Sequence, residues 1–135
     1  MVEITGIYQG EKHCLLTHSP SKNSIHTDAP KDNNGRGEAF SPTDLLAASL
    51  GSCMLTVMGI YADNHSINMN GSTVRVLKEM GTNPRKVSIL TVEIKLPAAL
   101  SQKERETLER VAETCPVKLS LHPDIQIPLK FDYTI

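Results

Sequence analysis

Hydrophobic and polar positions change rhythm three times along the chain. Up to about residue 30, Val2, Ile4 and Tyr8 share one parity, and short runs at Cys14 to His18 and Ser24 to Thr27 are separated by polar, Ser- and Asn-containing turns. That pattern predicts three short strands. The cluster Pro30 to Gly37 (PKDNNGRG) is a dense set of turn formers and reads as a loop. Next, Leu45 to Ala62 runs for 18 residues without a charge, and Ser41-Pro42-Thr43-Asp44 precedes it. Ser41 can cap, Pro42 has no amide hydrogen to leave unpaired at the first helical position, and Asp44 sits in the positive first turn. A helix is expected from here to about Asn64. At 1.5 Å per residue it spans roughly 34 Å, against a radius of gyration of about 14 Å for a globule of this size, so it has to traverse the domain.

Beyond it, two strands are expected around a turn at Gly81 to Pro84. In the second, Leu90, Val92, Ile94 and Leu96 point one way and Thr91, Glu93 and Lys95 the other, as in a half-buried antiparallel hairpin. Ser101 and Glu104 make a capping-box pattern, and Leu108, Val111, Ala112 and Cys115 then recur at i, i+3, i+4 and i+7. Cys115 therefore falls on the buried stripe. Pro116 should end this helix and open a short one through Leu121, before a last strand with Ile127, Leu129, Phe131, Tyr133 and Ile135 on one face. The order βββ-α-ββ-αα-β places the chain in the α+β class.

Composition narrows the possibilities. A length of 135 residues predicts a single domain, 1–135, with a core that needs no metal or disulfide staple. Lys and Arg total 14 against 15 Asp and Glu, so the basic footprint of a nucleic-acid partner is missing. Three cysteines, Cys14, Cys53 and Cys115, are an odd number without a CxxC pair, which disfavours a secreted disulfide framework and a zinc ribbon and suits a reducing cytoplasm. No apolar run follows Met1, so no export signal is expected. The uncharged stretch is bounded by Asp44 and Asp63 and broken by Ser49, Gly51, Ser52, Thr56 and Gly59, with Lys and Arg far from both ends. It reads as a core helix of a protein without a membrane partner.

Candidate chemistry is sparse. The histidines at 13, 18, 26, 65 and 122 form no HxxxH or HxxH pair, and no nucleotide-binding or hydrolase fingerprint occurs, so neither a metal nor a cofactor is expected. The thiols remain. Cys53 lies mid-helix after Gly51 and Ser52, with Thr56 one turn on, neighbours that leave room beside a sulfur and can donate to it. It is also compatible with a small buried hydrophobe. Cys115 precedes Pro116 at a helix junction, where amides opening the next helix favour a thiolate. Cys14 follows His13 on a strand, so the two side chains face opposite ways and Cys14 reads as structural.

The segment SPTDLLAASLGSCM, with Cys53 eleven residues after Pro42, followed some sixty residues later by TCPV, resembles the OsmC/Ohr family over nearly the whole chain. The resemblance implies antiparallel sheets packed around a long central helix, an intertwined homodimer with sites at its interface, and thiol-based reduction of organic hydroperoxides. It makes Cys53 the peroxidatic and Cys115 the resolving cysteine, with an unidentified thiol as reductant. Two departures stand out. The hydroperoxidase branches carry glutamate directly after the proline, where this chain has Thr43. At about 100° per residue, Thr43 lies about 80° round the helix from Cys53 and the neighbouring Asp44 about 180° round, which favours a capping role for Asp44 over a catalytic one. The family's thiolate-stabilising arginine has one upstream counterpart, Arg36, which equally suits a solvated loop. The expected site set is Cys53, Cys115, Arg36 and Asp44. The leading reading is a hydroperoxide reductase. The alternatives are a non-catalytic dimer that binds an apolar small molecule in an interface pocket, and a structural dimer with inert thiols.

Overall fold

The N-terminal alternation folds into strands β1 (Ile4–Tyr8), β2 (His13–His18) and β3 (Ser24–Asp28) in the computed structural model, which describes residues 1–135. They form an antiparallel sheet in the order β1-β2-β3. Gly10, at a positive φ of 88°, turns the chain between β1 and β2. Register sets the two faces, because residues directly opposite each other point the same way. Ile4 opposes His18 and Tyr8 opposes Cys14, while Cys14 opposes Thr27 and Leu16 opposes Ile25. One face therefore collects Ile4, Tyr8, Cys14, Leu16 and Ile25. The other carries Ile7, Leu15, His13, His26 and Asp28.

Helix α1 runs from Pro42 to Asn64, the span expected from its cap and its uncharged run. Contacts divide the chain into two compact units, Met1–Leu46 and Ala47–Ile135, so α1 starts in the first and continues through the second. In the second unit, β4 (Thr73–Gly81) and β5 (Lys86–Lys95) form the expected antiparallel hairpin, with Val74 opposite Ile94 and Val76 opposite Val92. Helices α2 (Gln102–Ala112) and α3 (Pro116–Ser120) follow, then β6 (Leu129–Asp132). The sheet order is β4-β5-β6, and β6 lies parallel to β5, with Val92 opposite Leu129 and Ile94 opposite Phe131. The sheets are thus antiparallel in the first unit and mixed in the second, because a helical crossover carries the chain back to the end of the sheet at which β5 began.

The capping box at the start of α2 is complete: Ser101 Oγ accepts from the Glu104 amide and Glu104 accepts from the Ser101 amide. Behind it, Leu50, Met54 and Met58 of α1, Leu90, Val92, Ile94 and Leu96, and Leu108, Ala112 and Cys115 are at most 1% exposed. They are the core of the second unit. The four-residue spacing of Leu50, Met54 and Met58 puts one stripe of α1 on the sheet. At Gly51 the helix comes so close that an added Cβ would stand 2.9 Å from Val76 Cγ2. Away from this stripe, Ser52, Thr56 and Ile60 are exposed. The helix is long and apolar enough to cross a membrane by length and composition, and 33% of its most apolar window is buried.

Candidate functional site

Two helices of the second unit deliver the two thiols. Cys53 follows Gly51 by two positions, so the flush seat of α1 on Val74 and Val76 also fixes the height of Cys53 above the sheet. Its side chain is half-buried. Cys115 sits where α2 ends and α3 begins, as the cap residue of α3, with no exposed surface. The periodic stripe that carries Leu108 and Ala112 inward carries Cys115 with them. There it lies near enough to Cys53 for that thiol to oppose its ionisation. The expected pair is thus brought close together, one residue half-buried and the other enclosed.

Electrostatics around Cys115 differ from expectation. The amides at the start of α3 do reach the sulfur, and Lys118 N–H donates to Sγ at 3.4 Å. Burial nevertheless dominates and pushes the thiol up from its ordinary value, with the neighbouring Cys53 thiol adding to the rise and the Lys118 amide opposing it. The protonated thiol is thereby favoured at Cys115, against the thiolate expected at this helix junction. The hydroxyls near Cys53 also do other work: Thr56 Oγ1 donates to the Ser52 carbonyl at 2.8 Å.

Asp44 and Arg36 belong to the first unit. The Ser41 amide donates to Asp44 Oδ2 at 2.9 Å, and the Asp44 amide donates to Ser41 Oγ at 3.1 Å. This reciprocal cap anchors the start of α1, with Asp44 in the place a glutamate takes in the usual capping box. Arg36 is exposed and pairs with Glu11 at 2.6 Å. Cys14 is half-buried on β2, between Tyr8 and Thr27. One cluster has no sequence signature: His13, His26 and Asp28 converge on one face of the first sheet through strand register.

The OsmC-like protein family model matches residues 35–130. The chain belongs to the OsmC-like protein family. No curated protein matches it. Among solved structures, a candidate osmotic stress induced and detoxification response protein from Psychrobacter arcticus 273-4 is similar at 45% identity and a TM-score of 0.89, covering 96% of this chain and 93% of that one. The OsmC like protein from Mycoplasma pneumoniae, at 19% identity and a TM-score of 0.83, covers 100% of this chain and 98% of its own. An organic hydroperoxide resistance protein OsmC from Legionella pneumophila, at 18% identity and a TM-score of 0.79, covers 98% and 96%. At those lower identities the likeness is one of fold. OsmC-like membership accounts for the order of elements and for the long helix that carries Cys53.

Proposed function

We propose that the protein is a cytoplasmic, thiol-dependent hydroperoxide reductase that works through Cys53 and Cys115. The proximity of a half-buried Cys53 to a fully enclosed Cys115 is the observation that carries this reading, because it separates a thiol that can meet substrate from one that can meet only its partner. The Cys53 thiolate attacks the distal oxygen of the peroxide. A sulfur–oxygen bond forms, the oxygen–oxygen bond breaks, and the alcohol leaves after taking up a proton. Cys53 is now a sulfenic acid. Cys115 attacks the Cys53 sulfur, losing its thiol proton and expelling water, and a disulfide closes. An external dithiol then returns two electrons and two protons. Protonation of Cys115 in the resting state suits this order, since a neutral thiol does not compete for the peroxide.

The active form in this reading is a homodimer. Ile4 and Tyr8 are each 65% exposed and Ile25 49%, all on one face of the first sheet, and α1 keeps an uncovered face. A second copy would cover both surfaces, since apolar patches of this extent are uncommon on monomers. Sedimentation at micromolar concentration should give about twice the chain mass, and a well-folded monomer would overturn the dimer.

Activity is tested with cumene or tert-butyl hydroperoxide and the singly substituted chains. Cys53→Ser should abolish peroxide consumption. Cys115→Ser should leave Cys53 as a sulfenic acid or a more oxidised species. If neither substitution changes turnover, the catalytic reading fails and binding of an apolar small molecule replaces it.

A further inference from the structure

The face of the first sheet that carries Ile7 and Leu15 also holds an arrangement that the thiol chemistry does not use. His13 on β2 and His26 on β3 point the same way, one register step apart, and His13 Nε2 stands 3.0 Å from His26 Nδ1. Their ring centroids are 5.0 Å apart. On the far side of the His13 ring, Nδ1 lies 3.4 Å from Asp28 Oδ1. Asp28 is 2% exposed, and its other oxygen, Oδ2, accepts from the Glu38 amide at 3.0 Å. That amide fixes the orientation of the carboxyl group beside the His13 ring.

We propose that His13 and His26 form an exchangeable site for a borderline divalent cation of the nickel, copper or zinc type, with Asp28 as the carboxylate that orients His13. Spacing is the first reason. Two imidazole nitrogens bound about 2.0–2.1 Å from one ion, at right-angled to tetrahedral geometry, stand about 2.9–3.3 Å apart, and the observed separation falls in that window. The second reason is the carboxylate behind the ring. A metal-bound histidine characteristically donates its other N–H to a carboxylate, which sets the tautomer, and Asp28 leaves Nε2 of His13 as the nitrogen with a free lone pair.

No group of three His, Cys, Asp or Glu side chains is placed to enclose an ion. The remaining positions are therefore filled by water, and the ion exchanges with solvent. Two imidazoles without a thiolate select a nitrogen-preferring metal over calcium or magnesium.

The test uses untagged, fully reduced, full-length protein labelled with ¹⁵N at histidine and titrated with NiCl₂, which does not oxidise the thiols. The ring signals of His13 and His26 should broaden together at substoichiometric nickel, ahead of His18, His65 and His122, and calorimetry should give about one ion per chain. His26→Gln, at an exposed position, should abolish the joint response without disturbing the fold. Asp28→Asn should preserve the stoichiometry and weaken affinity by about 10- to 100-fold. If Asp28→Asn does not fold, His26→Gln decides the matter. Equal broadening of all five histidines, nickel binding confined to the cysteines, or an unchanged response in His26→Gln would reduce the contact to a hydrogen bond between two rings and overturn the site.

Discussion

Gly51→Ala is the substitution that most directly tests how α1 is seated. In an exposed helix, replacing glycine with alanine stabilises by about 1 kcal/mol. Here the new methyl would lie 2.9 Å from Val76 Cγ2 and 3.2 and 3.3 Å from the two Val74 methyls, where carbon contacts prefer about 3.5–4.0 Å. Valine is stiff at χ1 and has no flexible end to swing away, so helix or strand must shift by several tenths of an ångström. Overpacking of this kind costs about 1–3 kcal/mol, which cancels or outweighs the propensity gain and leaves a net loss of up to about 2 kcal/mol. For a chain of this length that lowers Tm by up to about 8 °C. The strain is local, so placing Gly51→Ala in a Val76→Ala background should recover about 0.5–3 kcal/mol as coupling. Urea and thermal melts of the four chains measure it. Because Cys53 lies two residues on, peroxide turnover should fall in the single variant and partly return in the double. Gly59, with nothing within 4 Å of an added Cβ, provides the contrast: its alanine variant should stabilise unless a second chain occupies that face. A stabilised Gly51→Ala would refute the flush packing of α1 on β4.

Asp44→Asn should cost roughly 0.5–1 kcal/mol through weakened capping, measured by urea melts, and leave peroxide turnover nearly unchanged. A large activity loss at unchanged stability would make Asp44 part of the chemistry, and a gain in Thr43→Glu would show that a carboxylate at that position is what the chain lacks. Acid stability depends in part on Glu104, whose carboxyl is held below its ordinary value of 4.5 chiefly by the Ser101 amide. Its contribution is complete above 4.5 and disappears as pH falls through the lowered folded value, so Glu104→Gln should show a shallower acid loss than the wild type. Superimposable stability–pH curves would contradict that assignment.

The fold was legible wherever a local pattern had one outcome. The uncharged run behind Ser41-Pro42-Thr43-Asp44 marks both ends of α1, and alternation from Leu90 to Leu96 separates the buried from the exposed face of β5. Parallel pairing of β6 was not legible, since Leu129 and Phe131 would look the same on either side of β5 in either direction. The site divides in the same way. Periodicity places Cys115 inside, but its approach to Cys53 joins helices separated by a hairpin; the pattern allowed two inward cysteines to meet, and the family resemblance paired them. The amides at the start of α3 could be read from Cys115-Pro116, whereas the depth of burial that overrides them could not. His13, His26 and Asp28 meet through strand register, which leaves no spacing motif.

The central claim is that Cys53 and Cys115 form one redox unit. Its most direct test is peptide mapping of the wild-type chain by mass spectrometry after brief exposure to one equivalent of cumene hydroperoxide. The account predicts two thiols consumed per chain, a Cys53–Cys115 disulfide and Cys14 recovered as a free thiol. Recovery of Cys53 and Cys115 as free thiols, or oxidation confined to Cys14, would contradict it.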